Sequence, residues 1–426
     1  MQNHHATSGR AARAGALIAA LLAVVAPLVA PVSSHAEFEF VSGGKLSGSG
    51  GATEPGIDIA PDGRTIFVNG INGIPSHSLL WRSDDGGSSF KKLTFPLPYS
   101  RFPGGGDADV VVGEDGHVYF LDLWAGSNSI AYSPDLGENW TQGTPFTTLP
   151  LSDRQWISLG ERNPETGLDT VYVAYHFIQP PQSLMLSRSD DSGLTWTWHV
   201  GVPGLVGTGA LPGQIVSDGK WVAFNYVNGR NMYIAMSADA GVTWTKKQVS
   251  WIPTVYEGSL TAVAQDPMNK DDLYIAWIDD QDFSVRVGRS YNRGQDWEWG
   301  EKVSGPEDSE DGMSNIFPWI AARDGKVSVA WYGADEPGDP NNVSPATEWR
   351  VRYAESTDRG ATFGAPVDAT GVVKRGFICT QGLSCNAGRE LGDFLQIALD
   401  GDSNAMISYV DVVDRKLAKV VRQRPL

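Results

Sequence analysis

Residues 189–196 read SDDSGLTW, and this octapeptide decides the fold because it recurs five more times along the chain. The other copies are SDDGGSSF from Ser83, SPDLGENW from Ser133, SADAGVTW from Ser237, SYNRGQDW from Ser290 and STDRGATF from Ser356. Their glycines lie 50, 56, 48, 53 and 66 residues apart. A repeat of about 50 residues with β-type sequence between the copies predicts a propeller or an array of repeated units.

Each octapeptide has the composition of a tight turn. The Asp can accept hydrogen bonds from backbone N–H groups just ahead of it, the Gly supplies a positive φ, and the closing aromatic residue anchors the hairpin in apolar packing. These roles are structural, so the Asp residues of the octapeptides are poor candidates for catalysis. The pattern resembles the Asp-box, or bacterial neuraminidase repeat, which is shared by sialidases, other glycan-active enzymes, receptor ectodomains and assembly factors. The resemblance implies a sialidase-like propeller fold and no single activity.

Seven units can be counted along the chain. In each unit an apolar strand, a turn rich in Asp and Gly and a second apolar strand precede a loop and a third strand. The units begin near Gly56, Ala108, Gln155, Gly213, Leu260, Pro318 and Asp393. We therefore predict an all-β chain that forms one seven-bladed β-propeller with about 56 residues in each blade. Six blades, the number implied by the sialidase resemblance, is the alternative.

The seventh unit has a third strand near 416–421 but no octapeptide and no fourth strand after it. Residues 37–46, EFEFVSGGKL, alternate between apolar and polar like a strand. We expect this N-terminal segment to complete the last blade, because closure of the ring removes the exposed sheet edges.

Residues 1–36 have the pattern of a secretory signal peptide. Two arginines precede the apolar stretch 14–32, and the tripeptide SHA at 34–36 fits a small-x-small cleavage site. An uncleaved membrane anchor is the alternative, but Pro27 and Pro31 leave the apolar run short for a spanning helix. We expect a secreted, extracellular protein whose mature form, 37–426, is a single monomeric domain with no membrane association after cleavage.

The charge and the cysteines restrict the partners. The formal net charge is -17, and removal of two arginines with the signal peptide makes it -19 for the mature chain. Such an acidic surface argues against nucleic acid and against an anionic membrane. Cys379 and Cys385 are the two cysteines, and we expect a disulfide between them in an exported chain. A zinc site is the alternative, but two cysteines without nearby histidines do not complete one.

Propeller topology divides the loops between two faces. If the octapeptides join third and fourth strands, the loops that lead into first strands and those that join second to third strands lie at the opposite face. We call that face the mouth. The innermost strands begin there and side chains of several blades converge on the axis, so we expect binding and chemistry at the mouth.

Polar residues of the mouth loops are the catalytic candidates. They are Asp153, His176, Tyr256, Glu257, Tyr332 and Asp393. A partly buried carboxyl group can act as a general acid or base, and a tyrosine beside a carboxylate can act as a nucleophile. The structural alternatives are a hydrogen-bonded histidine, packed tyrosines and a solvated rim of carboxylates.

The substrate-binding candidates are Arg101, Arg154, Arg389, Trp124 and Trp331. The three arginines hold equivalent positions in three units, as a cluster that grips a substrate carboxylate would require. The alternative is that they form ion pairs with the adjacent aspartates, Asp107, Asp153 and Asp393.

The sialidase resemblance implies three arginines on the substrate carboxylate, a Tyr nucleophile paired with Glu, an Asp acid/base and an Arg-Ile-Pro motif ahead of the first Asp-box. This chain has no Arg-Ile-Pro, and its nearest string, RFP at 101–103, follows the first octapeptide. Carried over by position, the resemblance gives Arg101, Arg154 and Arg389 as the arginines, and Tyr256 with Glu257 as the nucleophile pair.

A long insertion, 333–350 in unit six, is a candidate substrate lid, and an ordinary surface loop is the alternative. Its acidic residues can hold a calcium ion together with those of unit five; otherwise we expect no cofactor. The carboxylates concerned are Asp335, Glu336 and Asp339, with Asp279 or Asp280.

We predict a carbohydrate-active enzyme, a sialidase-like glycoside hydrolase or a polysaccharide lyase, that acts on an extracellular polysaccharide or glycoconjugate. The alternative is a non-catalytic propeller that binds glycan or protein. A catalytic site requires two carboxylates, or a tyrosine and a carboxylate, in one concave pocket. The sequence contains no serine-hydrolase elbow, no His-Glu-x-x-His, no phosphate loop and no dinucleotide fingerprint.

Overall fold

The computed structural model describes residues 38–73, 78–94, 105–124, 127–144, 152–196, 198–206, 210–249, 254–305 and 313–426. These residues form 29 β-strands, one short 3-10 helix at Gly382–Ser384 and no α-helix. None of the helical structure in these ranges is long and apolar enough to cross a membrane. The strands form seven antiparallel sheets. The fold is therefore the seven-bladed β-propeller that the repeats predicted.

The chain begins with β1 (Phe38–Ser42), and the blades follow in chain order. Blade 1 consists of β2 (Ile57–Ile59), β3 (Ile66–Gly70), β4 (Leu79–Ser83) and β5 (Lys91–Lys92). Blade 2 consists of β6 (Ala108–Val112), β7 (Val118–Trp124), β8 (Ser127–Ser133) and β9 (Thr141–Gln142). Blade 3 consists of β10 (Ser152–Arg162), β11 (Asp169–Phe177), β12 (Ser183–Ser189) and β13 (Trp198–Val206).

Blade 4 consists of β14 (Leu211–Asp218), β15 (Trp221–Asn228), β16 (Asn231–Ser237) and β17 (Thr245–Gln248). Blade 5 consists of β18 (Ala262–Gln265), β19 (Leu273–Ile278), β20 (Val285–Ser290) and β21 (Glu298–Lys302). Blade 6 consists of β22 (Met313–Arg323), β23 (Lys326–Pro337), β24 (Glu348–Ser356), β25 (Val367–Asp368) and β26 (Lys374–Arg375). Blade 7 consists of β27 (Gln396–Leu399), β28 (Ala405–Asp411), β29 (Leu417–Pro425) and the N-terminal strand β1.

The N-terminal strand closes the ring. β1 pairs antiparallel with β29, with Phe38 opposite Pro425 and Ser42 opposite Val421. The rings of Phe38 and Phe40 also pack edge-on against Tyr353 of blade 6, at centroid distances of 5.7 and 5.0 Å. The predicted role of this segment is confirmed, and the same strand stabilises the contact between blades 6 and 7.

The octapeptides lie between third and fourth strands and share one hydrogen-bonded turn. In the copy at 189–196, the Ser189 hydroxyl donates to Asp191 Oδ1 at 2.7 Å, and Asp191 Oδ1 accepts from the backbone N–H of Thr195 at 2.8 Å. The N–H of Gly193, which has a φ of 79°, donates to Ser189 Oγ at 2.9 Å. In the copy at 290–297, Asn292 replaces the Asp and accepts from the N–H of residue 296 at 2.9 Å. The repeated residues therefore build the turn and face away from the mouth.

Side chains of one blade satisfy backbone N–H groups of the innermost strand of the next. Gln396 Oε1 accepts from Ile57 at 2.9 Å, Asp58 Oδ2 from Val112 at 2.7 Å, and Asp109 Oδ2 from Ile157 at 3.3 Å. An edge strand that lies inside a protein must find such partners. Burial raises the pKa of Asp58 to about 6 and that of Asp109 to about 7. These polar groups around the axis are therefore used to join the blades.

Candidate active site

Loops from four blades that are consecutive in the ring bring six charged side chains together at the mouth. We call them the mouth cluster: Glu54 before β2, Asp107 before β6, Asp153 and Arg154 in β10, and Arg389 and Asp393 before β27. The cluster has four carboxyl groups and two guanidinium groups. Sequence reasoning named five of these residues and missed Glu54. The same argument about loops that lead into first strands, applied to the first unit, would have found it.

Asp393 joins the two arginines. It accepts from Arg389 Nη2 at 2.5 Å and from Arg389 Nε at 3.2 Å, and it also pairs with Nη2 of Arg154. The side chains of Arg154 and Asp393 are 13% and 8% exposed, so water screens this pair poorly. Arg389 also lies 3.8 Å from a carboxylate oxygen of Glu54. The ion pairs that the sequence left as the alternative are formed, and both arginines share Asp393.

Among the described residues, eleven other than glycine adopt a left-handed backbone conformation, and three of them border the mouth cluster or its cavity. The φ angles are 51° at Glu54, 54° at Arg154 and 55° at Phe317. Residues held in this region carry local strain, and such strain concentrates at functional sites. Seven of the eleven, however, lie in turns at the octapeptide face, so this conformation does not distinguish the mouth.

The carboxyl groups of the cluster differ in protonation. Burial, with Asp107 as a second cause, raises the pKa of Asp153 to about 7. Burial, the Asp393 charge and the Asp107 charge raise the pKa of Glu54 well above its ordinary value. Burial also acts on Asp393, but the guanidinium groups of Arg154 and Arg389 outweigh it and hold the pKa of Asp393 below its ordinary value. Carboxyl groups whose pKa values are pushed apart can divide acid and base roles.

A cavity of about 300 Å³ opens beside the cluster and is lined by Asp153, Arg154, Glu257 and Asp393. Blades 4 to 6 supply an apolar wall, and the loop around residue 380 supplies a polar one. Arg154 Nη1 is buried and has no hydrogen-bond partner among the described residues. The cavity has the size of a small-molecule site, and this buried nitrogen has no contact with solvent.

Three aromatic rings close the floor of this cavity. Trp156 of blade 3, Trp319 of blade 6 and Phe394 of blade 7 lie with centroid distances of 5.1, 5.2 and 5.4 Å between them. Their relative exposures are 1–2%. Residues before these rings in the chain line the mouth cavity, and residues at or after them line a larger cavity of about 1030 Å³ on the octapeptide side. The rings thus lie between the two cavities.

The predicted disulfide between Cys379 and Cys385 is present, and its loop forms part of the cavity wall. The N–H of Thr380 donates to Asn341 Oδ1 at 3.0 Å, and the N–H of Ile378 donates to the carbonyl of Pro340 at 2.9 Å. The insertion expected to act as a lid therefore packs against the wall loop.

Tyr256 and Glu257 do not form the expected nucleophile pair. The Tyr256 hydroxyl accepts from Asn341 Nδ2 at 2.6 Å and lies 3.0 Å from Thr380 Oγ1, while its ring packs on Phe283. Only Glu257, which is exposed, lines the cavity. Of these two adjacent residues, Tyr256 therefore contacts the cavity wall, and Glu257 lines the cavity.

Trp331 and Tyr332 lie inside blade 6, and both are 0% exposed. The Tyr332 hydroxyl accepts from the N–H of Val410 at 2.9 Å, and the Trp331 indole donates to Asn315 Oδ1 at 2.7 Å. Side chains without contact to solvent or cavity have no access to substrate. Their expected roles as nucleophile and sugar contact therefore do not fit their positions.

His176 lies opposite Asp153 in the pairing of β10 with β11. It is 5% exposed, burial lowers its pKa, and neither ring nitrogen has a hydrogen-bond partner among the described residues. His176 therefore lies behind the cluster and outside the cavity lining. Arg101 lies outside the described residues, as does the signal-peptide segment 1–36. Trp124 ends β7, and only its backbone is described.

The carboxylates expected to bind calcium each have a protein partner instead. Asp335 pairs with Arg350 and Arg352, and Glu336 accepts from Thr347. The remaining pairs are Asp339 with Asn341, Asp279 with Arg286, and Asp280 with Arg230. The expected calcium site is therefore not assembled.

Within the described ranges, one group of three metal-ligating side chains lies close together, at the octapeptide side of blades 2 and 3: Asp115, His117 and Asp169. The Arg162 guanidinium pairs with Asp115 and lies 2.8 Å from His117 Nδ1 and 3.6 Å from Asp169. The protein itself thus supplies the positive charge that a metal would bring.

No protein-family model matches the chain, and no curated protein matches it. Solved structures do. A lectin from Burkholderia pseudomallei is 12% identical with a TM-score of 0.54, over 88% of this chain and 99% of that one. YCF48 from Cyanidioschyzon merolae is 12% identical with a TM-score of 0.52, over 91% and 99%.

A Hadza microbial sialidase is 13% identical over 85% of this chain and 73% of that one. Its TM-score is 0.44, which is too low to support an inference about this chain. At these identities the likeness to solved structures shows the fold alone. The comparisons thus establish the propeller, and the choice between enzyme and binding protein depends on the chemistry of the mouth.

Proposed function

We propose that the chain is a secreted glycoside hydrolase that cleaves an extracellular polysaccharide or glycoconjugate in the mouth cavity. One observation carries the proposal: two carboxyl groups in different environments, Asp153 and Glu257, line one cavity together with the guanidinium of Arg154. Glycoside hydrolysis needs a carboxylic acid that protonates the leaving oxygen and a carboxylate that acts as base or nucleophile.

The different environments of Asp153 and Glu257 assign their catalytic roles. Asp153 is partly buried and has a pKa of about 7, so it holds its proton near neutral pH and serves as general acid. Glu257 is exposed to solvent at the cavity and serves as base or nucleophile. Arg154 places a positive charge beside the cavity, and Asp393 holds the arginine in position because it pairs with Nη2.

Export from the cell is part of the proposal. The signal-peptide pattern of residues 1–36 and the disulfide of the wall loop both support it, since disulfides persist in oxidising compartments. Protein recovered from the culture medium should begin at Glu37 when its N-terminus is sequenced. Recovery of full-length protein in the membrane fraction would contradict export.

Activity of residues 37–426 on a panel of aryl glycosides and polysaccharides tests the hydrolase. Release of aglycone or reducing ends is the readout, with unsaturated uronate absorbance as the check for a lyase. Asp153→Asn should lower turnover by about 100-fold or more, because a positioned acid contributes at least that factor. Glu165→Gln is the matched control, since Glu165 is an exposed carboxylate of the same blade at the opposite face.

A glycan-binding propeller without catalysis is the second candidate. The position of Tyr256 favours this candidate, because the Tyr256 hydroxyl accepts a hydrogen bond from Asn341 and does not pair with Glu257. Retention on an immobilised glycan that is lost in Arg154→Ala, with no turnover across the panel, would establish binding and contradict the hydrolase.

A further inference from the structure

The charge balance of the mouth bears on which sugar the cavity accepts. Given the glycan-processing function proposed above, we propose that the cavity selects a neutral sugar residue and rejects residues that carry a carboxylate. The inference follows from what the arginines already bind, from the carboxylate left free and from the remaining lining.

Both guanidinium charges in the mouth cluster are engaged by the protein. Arg154 and Arg389 share Asp393, and Arg389 also faces Glu54. A substrate carboxylate would have to displace Asp393, which is 8% exposed and accepts from Arg389 at 2.5 and 3.2 Å. Displacement would leave a buried aspartate without its cations, which is strongly unfavourable. These arginines are therefore not available to grip an acidic sugar.

The carboxylate that remains at the cavity repels an anion. Glu257 is exposed and lines the cavity, and the nearby Arg230 is already paired with Asp280. An incoming uronate or sialate would meet this negative charge and no unpaired cation among the described residues that line the cavity. Placing like charges together at a binding site costs affinity.

The rest of the lining suits a neutral sugar. The wall loop supplies the polar residues Thr380 and Gln381, whose side chains can form hydrogen bonds with sugar hydroxyls. The opposite wall presents Leu211 and Val227, against which the C–H groups of a sugar ring can pack. The volume of about 300 Å³ lies at the lower end of the range for small-molecule sites, which fits one or two sugar residues.

The same reasoning separates a hydrolase from a lyase. Elimination from a uronate proceeds through a carbanion next to the carboxylate, so the enzyme must neutralise that carboxylate. With Arg154 and Arg389 held by Asp393, the described lining has no free cation for this purpose. The charge balance therefore favours hydrolysis of neutral sugars over elimination from acidic ones.

Glycoside pairs that differ only at C6 provide the test. Methyl glucoside against methyl glucuronide, and methyl galactoside against methyl galacturonide, are titrated into residues 37–426 at pH 7 by calorimetry and saturation-transfer NMR. A methyl sialoside is included. The neutral member of at least one pair should bind about tenfold tighter or more. Tighter binding of a uronate or of the sialoside would overturn the inference and leave the hydrolase proposal standing.

Two variants test the cause. Asp393→Asn removes the carboxylate that Arg154 and Arg389 share, whereas Glu257→Gln removes one negative charge and leaves that ion pair intact. Asp393→Asn should shift the preference toward the uronate by about tenfold, and Glu257→Gln by about threefold or less. Equal shifts would overturn the role of the engaged arginines. Circular dichroism measures whether each variant is folded. If Asp393→Asn does not fold, the comparison of neutral and acidic glycosides on the wild-type protein tests the inference. Absence of binding for every sugar would overturn this inference, and turnover on the substrate panel would decide the proposed function separately.

Discussion

Arg154 and Asp393 form an ion pair across the propeller mouth although 239 residues separate them in the sequence. Arg154 belongs to blade 3 and Asp393 precedes the first strand of blade 7, so the pair forms only in the closed ring. It fixes the guanidinium of Arg154 beside the mouth cavity and links the loops of two separate blades.

Loss of this ion pair should be costly and non-additive. Arg154→Ala leaves Asp393 buried with one cation fewer, and removal of one partner of a buried pair costs about 3 kcal/mol of unfolding free energy. Urea unfolding at pH 7 of Arg154→Ala, Asp393→Ala and the double variant measures the coupling, which we expect to be about 1 kcal/mol or more. Strictly additive effects would show that the contact does not contribute to stability.

Activity should decline on the alkaline side of neutral pH. Asp153 acts in its protonated form and its pKa is about 7, so kcat/KM should fall tenfold for each pH unit above that value. The pH profile of kcat/KM on the best substrate of the panel measures this limb. An unchanged alkaline limb in the residual activity of Asp153→Asn would assign it to another group.

Trp319 should contribute both to the stability of the fold and to the raised pKa of Asp153. Trp319→Ala removes one of the three rings on the cavity floor and should cost about 3–5 kcal/mol, as large-to-small changes of aromatic core residues do. Since burial is the main cause of the raised pKa of Asp153, water admitted through the floor should move the alkaline limb to lower pH. Trp319→Phe should cause a smaller loss of stability and a smaller shift of the alkaline limb. An alkaline limb that stays at the same pH in Trp319→Ala would contradict a link between Trp319 and the pKa of Asp153.

The octapeptide turns should lose stability in acid. Hydrogen bonds from the Ser89 hydroxyl and backbone lower the pKa of Asp85 to about 2, and those from Thr243 do the same for Asp239. A carboxylate with a lowered folded-state pKa contributes stability above its unfolded value, and that contribution is lost as the pH falls from about 4 to about 2.

An Asp-to-Asn change provides the control, since Asn292 naturally holds the same place in the fifth turn. Unfolding midpoints measured from pH 6 to pH 2 should decline less steeply in Asp85→Asn/Asp239→Asn than in the wild type. Equal slopes would mean that these two aspartates do not contribute to acid sensitivity.

The disulfide should act on the cavity wall. Replacement of Cys379 and Cys385 by Ser releases a short loop and should cost about 2 kcal/mol by loop-closure entropy. Because residues 380–382 line the cavity, ligand affinity should fall as well. Thermal unfolding and titration of the best ligand measure the two effects. Unchanged affinity with lowered stability would restrict the disulfide to a structural role.

Features encoded in short stretches were predictable. The Asp191 turn closes within a single octapeptide, and β1 was recognisable as the missing strand of blade 7 from its alternation. Predictions that depended on where a strand ends failed. Trp331 and Tyr332 were placed in a loop, but β23 continues to Pro337, so both lie in mid-strand and inside blade 6.

Adjacency in sequence was also misleading. Tyr256 and Glu257 are neighbours, yet the Tyr256 hydroxyl bonds to Asn341 and Thr380, while Glu257 lines the cavity. The chain turns at 256–259, where the N–H of Ser259 donates to the carbonyl of Tyr256, and the two neighbouring side chains do not share a site. Neither neighbour could be assigned a place without the fold.

The sequence by itself determined the number of blades, the turn of each octapeptide, the strand that closes the ring and the disulfide, because each depends on a local pattern or on a count. Only the tertiary structure decided which charges meet at the mouth: that Arg154 and Arg389 share Asp393, that Glu54 joins them, and that Asp153 and Glu257 line one cavity. Ion pairing and pKa depend on distance and on exclusion of water, and both arise only when the blades close around the axis.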